Sequence, residues 1–580
     1  MARNTRVLYY RPIACLALLV VVARPPRFVY LVQDQCPLPT VSFVPTLALN
    51  IPMCPKTEYA WSPGRRIPWY RQPLKTLYLT FHLGTLFLLL VPFWGIKFVL
   101  RSRRPSPTRS WISSIIVNVV RSFLRICTNA GVLQSRGDVT ELPSAKQVRR
   151  MVGSACKAIW VEPIRGGDVW GEVKEVMVQN NVKPARVAAY WWGDGIADGP
   201  VREAGHDEKV LVHFHGGGYV VRRLVRLGQR GLPTAVHLSY QMGSTRPGSF
   251  HDTLLLSILK RAQRLSPPPL GRVLNVEYRL TRAVPIAPAS INAFPAALLD
   301  GVAVVHYLVF SLGFHPRDII LSGDSAGGNV ALGVTRYLRD APMPDPMNGK
   351  ESTRKMIYET VKSLLPGGMV LFSPWCDIAS THIPERSGPN CSFVRNAATD
   401  LVGRSREYFR FTSWPVNFLA LTKRNVMVPV AYSEERPYMG MSAYGLRGLS
   451  GSALSKTDVA MNPFLSPGSL DIPLEIRRGQ KTFADYPPTY VSVGGREIMY
   501  DEILLTASRI QGHAAHERIV VPRSSASAAK TVYAWVTVDE EPDMYHDFAA
   551  LPFAKTEALR TFDRIAQWIA ALPPGRDYPV

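Results

Sequence analysis

The sequence predicts an α/β fold, a mostly parallel sheet covered by helices on both faces. Three observations carry that expectation. From about residue 205, short apolar strands alternate with helical patterns. The stretch "RDIILSGDSAGGNVALGVTRYLRD" (317–340) reads as strand, tight turn and helix, and "KVLVHFHGGGYV" (209–220) is a β-rich run that ends in glycines. Parallel neighbours need long crossovers, and repeated strand–helix alternation is the sequence signature of such crossovers.

The first third of the chain has a different character. Of the net charge of +24, residues 1–160 contribute +18, because 22 Lys and Arg face only Asp34, Glu58, Asp138 and Glu141. No zinc-finger, RNP-type or helix-turn-helix pattern accompanies this charge. It therefore points to an anionic membrane surface and not to nucleic acid. Residues 13–23, "IACLALLVVVA", follow three arginines as in a signal peptide, but "RPPR" stands where a small-residue cleavage site belongs. The stronger candidate is "TLYLTFHLGTLFLLLVPFWGI" (76–96), whose 21 residues rise about 30 Å as a helix, enough for a single-pass anchor. Four basic residues precede it and five follow closely, so the charge balance leaves its orientation open. Residues 24–73, rich in Pro and aromatics, read as irregular, and Ile115, Val119, Phe123 and Ile126 give 110–133 the spacing of an amphipathic helix.

With 580 residues, 47% hydrophobic and 19% charged, the chain can bury a large core and fits neither disorder nor a fibrous protein. The seven cysteines lack CxxC or His/Cys clustering, which argues against a structural zinc site and a disulfide framework. The expected organisation is a basic amino-terminal region with the anchor (1–104), cap helices leading into the core (105–204) and the α/β domain (205–575).

Within that domain, "GRVLNVEYRL" (271–280), "GGMVLFSPWCD" (367–377) and "PPTYVSVGG" (487–495) read as further strands, and "FPAALLDGVAVVHYLVF" (294–310) as a helix. The turn Gly323-Asp324-Ser325-Ala326-Gly327 fits G-x-S-x-G, in which small residues let a strand turn abruptly into a helix and leave the serine exposed and strained. Alone it is a weak signal in a chain with 42 glycines. His215-Gly216-Gly217-Gly218 is rarer: successive glycines after a strand let main-chain N–H groups face a ligand, as an oxyanion requires. The donors expected are the amides of Gly217, Gly218 and Ala326, with His215 holding the glycine loop and Asp324 supporting the turn.

A serine nucleophile needs a base and an orienting acid later in the chain. His546 follows the β-rich "TVYAWVTV" by a short acidic loop and precedes a terminal helix, which suits a base returning to the turn; His513 lies in a polar stretch and reads as solvated. Glu497 is the first carboxylate after the strand "TYVSV" and is the expected acid. Asp501 is the reserve, because it and Glu502 read as first-turn acids of the helix that follows.

Taken in order, "HGGGYV", "EYRL…FPAALLD", "GDSAGGN", "SPWCD", "GGREIMYDE" and "HDF" resemble the hormone-sensitive-lipase-like branch of the α/β-hydrolase fold. More narrowly they are similar to membrane-anchored fungal esterases related to steryl acetyl hydrolase and arylacetamide deacetylase. The resemblance covers roughly residues 110–575. It implies a helical cap, hydrolysis of a small-molecule carboxylic ester through an acyl-serine without cofactor or metal, and an endoplasmic-reticulum membrane location. Members often carry Asp where this chain has Glu497. The chain also departs from the pattern in long stretches near 221–250 and 521–541, which either shape specificity or come from the gene model. The rival readings are a non-catalytic small-molecule binder on the same fold and an inactive chain.

Overall fold

The computed structural model describes residues 71–131, 138–221, 245, 247, 249–282, 287, 290–342, 363–382, 441–473, 475–476, 480–512 and 535–575. The apolar run 13–23, the irregular stretch up to residue 70, His513 and most of the two long departures lie outside the described residues.

The helices among the described residues are α1 (Leu74–Gly84), α2 (Val91–Lys97), α3 (Trp111–Asn129), α4 (Ala145–Val152), α5 (Gly171–Gln179), α6 (Phe250–Ala262), α7 (Ala296–His306), α8 (Ala326–Asp340), α9 (Met441–Ser450), α10 (Lys456–Met461), α11 (Tyr500–Gln511) and α12 (Lys555–Ala571). The strands are β1 (Cys156–Val161), β2 (Val187–Trp192), β3 (Lys209–Phe214), β4 (Leu270–Glu277), β5 (Ile319–Asp324), β6 (Gly368–Phe372), β7 (Glu475–Ile476), β8 (Gln480–Lys481), β9 (Thr489–Gly494) and β10 (Val536–Glu541). Eight of them form one sheet in the order β1-β2-β4-β3-β5-β6-β9-β10, with β7 and β8 making a separate hairpin. Every pair from β4 to β10 is parallel, whereas β1 and β2 run antiparallel at one edge. The sheet thus begins before residue 205.

Side-chain alternation along the strands builds the two core layers. On β3, Val210, Val212 and Phe214 face the layer that contains α5, α7, α8 and α11, while Leu211 faces α6 and α12. Such near-continuous apolar strands are required because both faces of the sheet are covered. Each fully buried Val, Leu or Phe contributes roughly 1.5–3 kcal/mol relative to exposure. At the far edge, the acids of "VTVDEE" extend β10 where a short loop was expected. Arg564 of α12 explains the difference, since it binds Asp539 at 3.0 Å and Glu541 at 2.8 Å and so neutralises both on the strand.

Residues Leu74–Lys97 form one helical rod, long and apolar enough to cross a membrane by length and composition. Its middle turn, Thr85–Leu90, is wound as π-helix just before Pro92, the usual accommodation where proline withdraws an amide donor. One side packs Tyr78, Leu86, Leu90 and Trp94 against α3; the other exposes Leu77, Phe87, Leu88, Leu89 and Ile96.

Chain order along the sheet reverses around β3: β4 lies on one side of it and β5 on the other. In open α/β sheets the crevice outside the carboxyl ends at such a reversal is where ligands bind. The loops after β3 and β5 are those that carry the glycine run and Ser325.

Candidate active site

Ser325 stands between β5 and α8 with φ 50° and ψ −116°, a backbone conformation that L side chains rarely adopt. The turn is possible because the residues two places to either side, Gly323 and Gly327, lack side chains. A Cβ on Gly323 would collide with the backbone of Gly327, and one on Gly327 with the carbonyl oxygen of Phe214 at the end of β3. The turn is fixed by two further bonds: the Ser325 amide donates to the Phe372 carbonyl at 2.9 Å, and the Trp375 amide donates to the Ser325 carbonyl at 2.8 Å.

From this turn a hydrogen-bonded line runs outward. Nε2 of His546 lies 2.9 Å from the Ser325 hydroxyl, and Nδ1 lies 3.0 Å from Oε2 of Glu497. Glu497 is fully buried, and its other oxygen accepts from the Gly494 amide at 2.6 Å and from the Ser373 hydroxyl at 3.0 Å. The outermost two of these residues, Ser325 and His546, lie 221 positions apart, yet all three meet because β5, β6, β9 and β10 are parallel neighbours whose loops leave one edge. Asp501 instead lies in the first turn of α11. Glu502, expected to serve only the helix dipole, is buried and accepts the amides of Cys376 and Asp377, with its carboxyl pushed well above the usual range by burial.

The glycine loop faces the same turn. Gly217 and Gly218 adopt φ 111° and 60°, which their missing Cβ permits, and their amides meet no acceptor among the described residues. His215 stacks on Tyr278 with ring centroids 4.5 Å apart and donates through Nδ1 to the Gly216 carbonyl at 2.7 Å. Its Nε2 is buried without a partner among the described residues, and burial lowers its pKa to about 4, so the ring is neutral. Tyr219 continues the loop and donates its hydroxyl to Asn329 of α8 at 2.6 Å. From the opposite side, α9 approaches so closely that a Cβ on Gly445 would lie 2.8 Å from the Gly218 carbonyl oxygen.

Asp324 joins the two loops. It accepts from the Gly216 amide at 2.9 Å, from His213 at 3.1 Å and from His251 at 3.3 Å. Burial alone would raise this carboxyl; His251 and His213 together more than offset that and hold it below the usual carboxylate range. The three side chains are also close enough to form a metal trio, but each already has a partner in this hydrogen-bonded knot. Neither histidine was singled out by the sequence, because 38 residues separate them and no spacing rule links them.

One further group was missed. The carboxyl of Asp547 lies 3.3 Å from Nε2 of His546, with φ 56° at its own backbone. Burial pushes it well above the usual carboxylic range.

Residues 262–411 match a family profile described as alpha/beta hydrolase fold. An esterase of Acinetobacter venetianus is 23% identical over 200 residues, covering 34% of this chain and 44% of the relative. Arylacetamide deacetylase-like 2 of Homo sapiens is 23% identical over 55% of this chain and 68% of its own length. Steryl acetyl hydrolase 1 of Saccharomyces cerevisiae is 24% identical over 31% of this chain and 29% of its own. The chain thus spans less than half the length of two of these three. Among solved structures, an esterase from the bacterial hormone-sensitive lipase family is 21% identical with a TM-score of 0.38, covering 79% of this chain and 97% of that one. A hyperthermophilic esterase from Pyrobaculum calidifontis is 16% identical with a TM-score of 0.39, covering 74% and 91%.

Proposed function

We propose that the chain, which has the α/β-hydrolase fold and resembles its hormone-sensitive-lipase-like branch, is a serine carboxylic-ester hydrolase acting on short-acyl esters of apolar compounds. The observation that carries this reading is the line Glu497–His546–Ser325, with both hydrogen bonds at about attack-ready length.

In the proposed reaction the Ser325 hydroxyl attacks the ester carbonyl while His546 Nε2 takes its proton. Glu497 keeps the imidazole oriented and stabilises its charged form. The carbonyl oxygen becomes an oxyanion, met by the amides of Gly217, Gly218 and Ala326. His546 then returns its proton to the leaving alcohol, which departs and leaves an acyl-serine. A water molecule repeats the sequence: His546 removes its proton, the hydroxyl adds to the acyl carbon, and the acid is released as Ser325 regains its proton. The rod Leu74–Lys97 would hold this site at a membrane, which suits substrates that partition into lipid.

Hydrolysis of p-nitrophenyl acetate and longer esters by the full chain, beside Ser325→Ala, tests the reading. Hydrolysis that disappears with the hydroxyl supports it. A folded chain with no hydrolysis, or with activity unchanged in Ser325→Ala, sinks it in favour of a binder.

A further inference from the structure

The loop that brings His546 to Ser325 is gripped from two sides. One side is the loop of the proposed acid: the amide of Gly495 donates to Glu541, and that of Arg496 to Met544, both at 2.9 Å. The other side is a piece of chain more than 430 residues earlier. Nη2 of Arg109 donates to the Asp543 carbonyl at 2.8 Å, and its guanidinium lies over the Tyr545 ring, 5.1 Å from the centroid. The Ser106 hydroxyl donates to the Asp543 carboxylate at 3.2 Å. Arg109, Ser106 and Tyr545 are all buried, at 4%, 1% and 0% exposure.

This grip extends back to the apolar rod. Arg104 donates to the carbonyls of Phe98 at 2.8 Å, Val99 at 3.2 Å and Arg109 at 3.1 Å, clamping the end of the rod to the residue that holds the loop. The Trp111 indole donates to Gly95 at 2.8 Å and ties α3 to the same end. A guanidinium taken out of water is costly unless its position is fixed by good partners, and here those partners are the backbone three residues before His546 and the ring immediately before it.

We propose that Arg109, assisted by Ser106, is a positioning residue for His546, and that the amino-terminal helices with their linker are a working part of the hydrolytic unit. The inference rests on the assignment of Ser325 and His546 above. Its physical basis is that an imidazole must stay within hydrogen-bond reach of two partners at once, and a displacement of about 1 Å costs on the order of a hundredfold in rate. Tyr545 cannot shift without carrying His546 away from Glu497 or Ser325. The rod is then more than a tether, because the clamp that ends it also sets the base.

The test uses the full chain in detergent, with two readouts: steady-state hydrolysis of p-nitrophenyl acetate, and the rate at which a fluorophosphonate labels Ser325. Arg109→Ala should lower kcat and labelling about tenfold or more while KM stays within about twofold. Arg109→Lys, which keeps the charge and a donor for the Asp543 carbonyl, should recover most of the loss. Ser106→Ala removes a single hydroxyl and should lower kcat about two- to threefold. A wild type that the probe does not label overturns the serine-hydrolase reading and this inference with it. A labelled wild type with Arg109→Ala labelled equally fast overturns the inference alone, as does a loss that Arg109→Lys does not recover. If Arg109→Ala does not fold, Ser106→Ala decides, and an unchanged kcat there overturns it.

Discussion

Ser373 donates its hydroxyl to Oε1 of Glu497 at 3.0 Å, and the same hydroxyl accepts the amide of Asp547 at 3.1 Å, so one serine braces both the proposed acid and the residue after the proposed base. With the Gly494 amide on the same oxygen, Oε1 is fully committed and Oε2 is left to face His546. Ser373→Ala is therefore expected to lower kcat about three- to tenfold, whereas Glu497→Gln, which offers the imidazole the wrong polarity, should cost about a hundredfold or more. Parallel kcat measurements on the two variants check the ranking.

Gly445 of α9 packs closely against the glycine loop. An added Cβ would stand 2.8 Å from the Gly218 carbonyl and 3.0 Å from the Trp375 ring. Gly445→Ala should displace the loop and lower kcat/KM about tenfold, while the overpacking against the Gly218 backbone and the Trp375 ring lowers stability by about 1–3 kcal/mol. Thermal unfolding and esterase kinetics on the same preparation separate the two effects.

Acid should destabilise the fold through buried histidines. His215 has its pKa lowered from 6.5 to about 4 by burial, and burial lowers His213 as well. The unfolded chain binds more protons than the folded one between those values. Stability is thus fully present above about pH 6.5, falls as pH drops towards 4, and loses on the order of 3 kcal/mol from His215 across that window. Unfolding midpoints at pH 7 and pH 4.5 should show the loss, and His215→Gln should make the difference smaller.

Asp547 lies beside the Nε2 atom that receives the serine proton in the proposed reaction, yet burial favours its neutral form. Asp547→Asn keeps shape and neutrality, so kcat near pH 7 should remain within about threefold of the wild type. A hundredfold loss would instead mean that the carboxylate form is required; a pH–rate profile for the variant distinguishes the two.

Much of this arrangement could be read from residues in order. Strand–helix alternation gives the parallel sheet from β3 onward, and the distance from the end of β9 to the first carboxylate leads to Glu497, the carboxylate beside His546. Other parts had no sequence signal. β1 and β2 escaped because "CKAIWV" and "VAAYWW" stand outside the repeating pattern and pair antiparallel at the edge. The knot of His213, His251 and Asp324 is assembled by the sheet from three separate elements. Arg109 sits in a run of basic residues that reads as surface charge, and its burial against Tyr545 appears once the fold is formed.

The left-handed backbone of Ser325 has a consequence for how this protein can change. A non-glycine residue held at φ 50° and ψ −116° costs on the order of 1–3 kcal/mol, and glycine at that position would relieve the strain while deleting the hydroxyl. Ser325→Gly should therefore unfold at a higher temperature than the wild type. In the proposed reaction, reactivity and durability are exchanged at one residue, and a lineage released from that reaction gains robustness in a single step by giving up the proposed nucleophile.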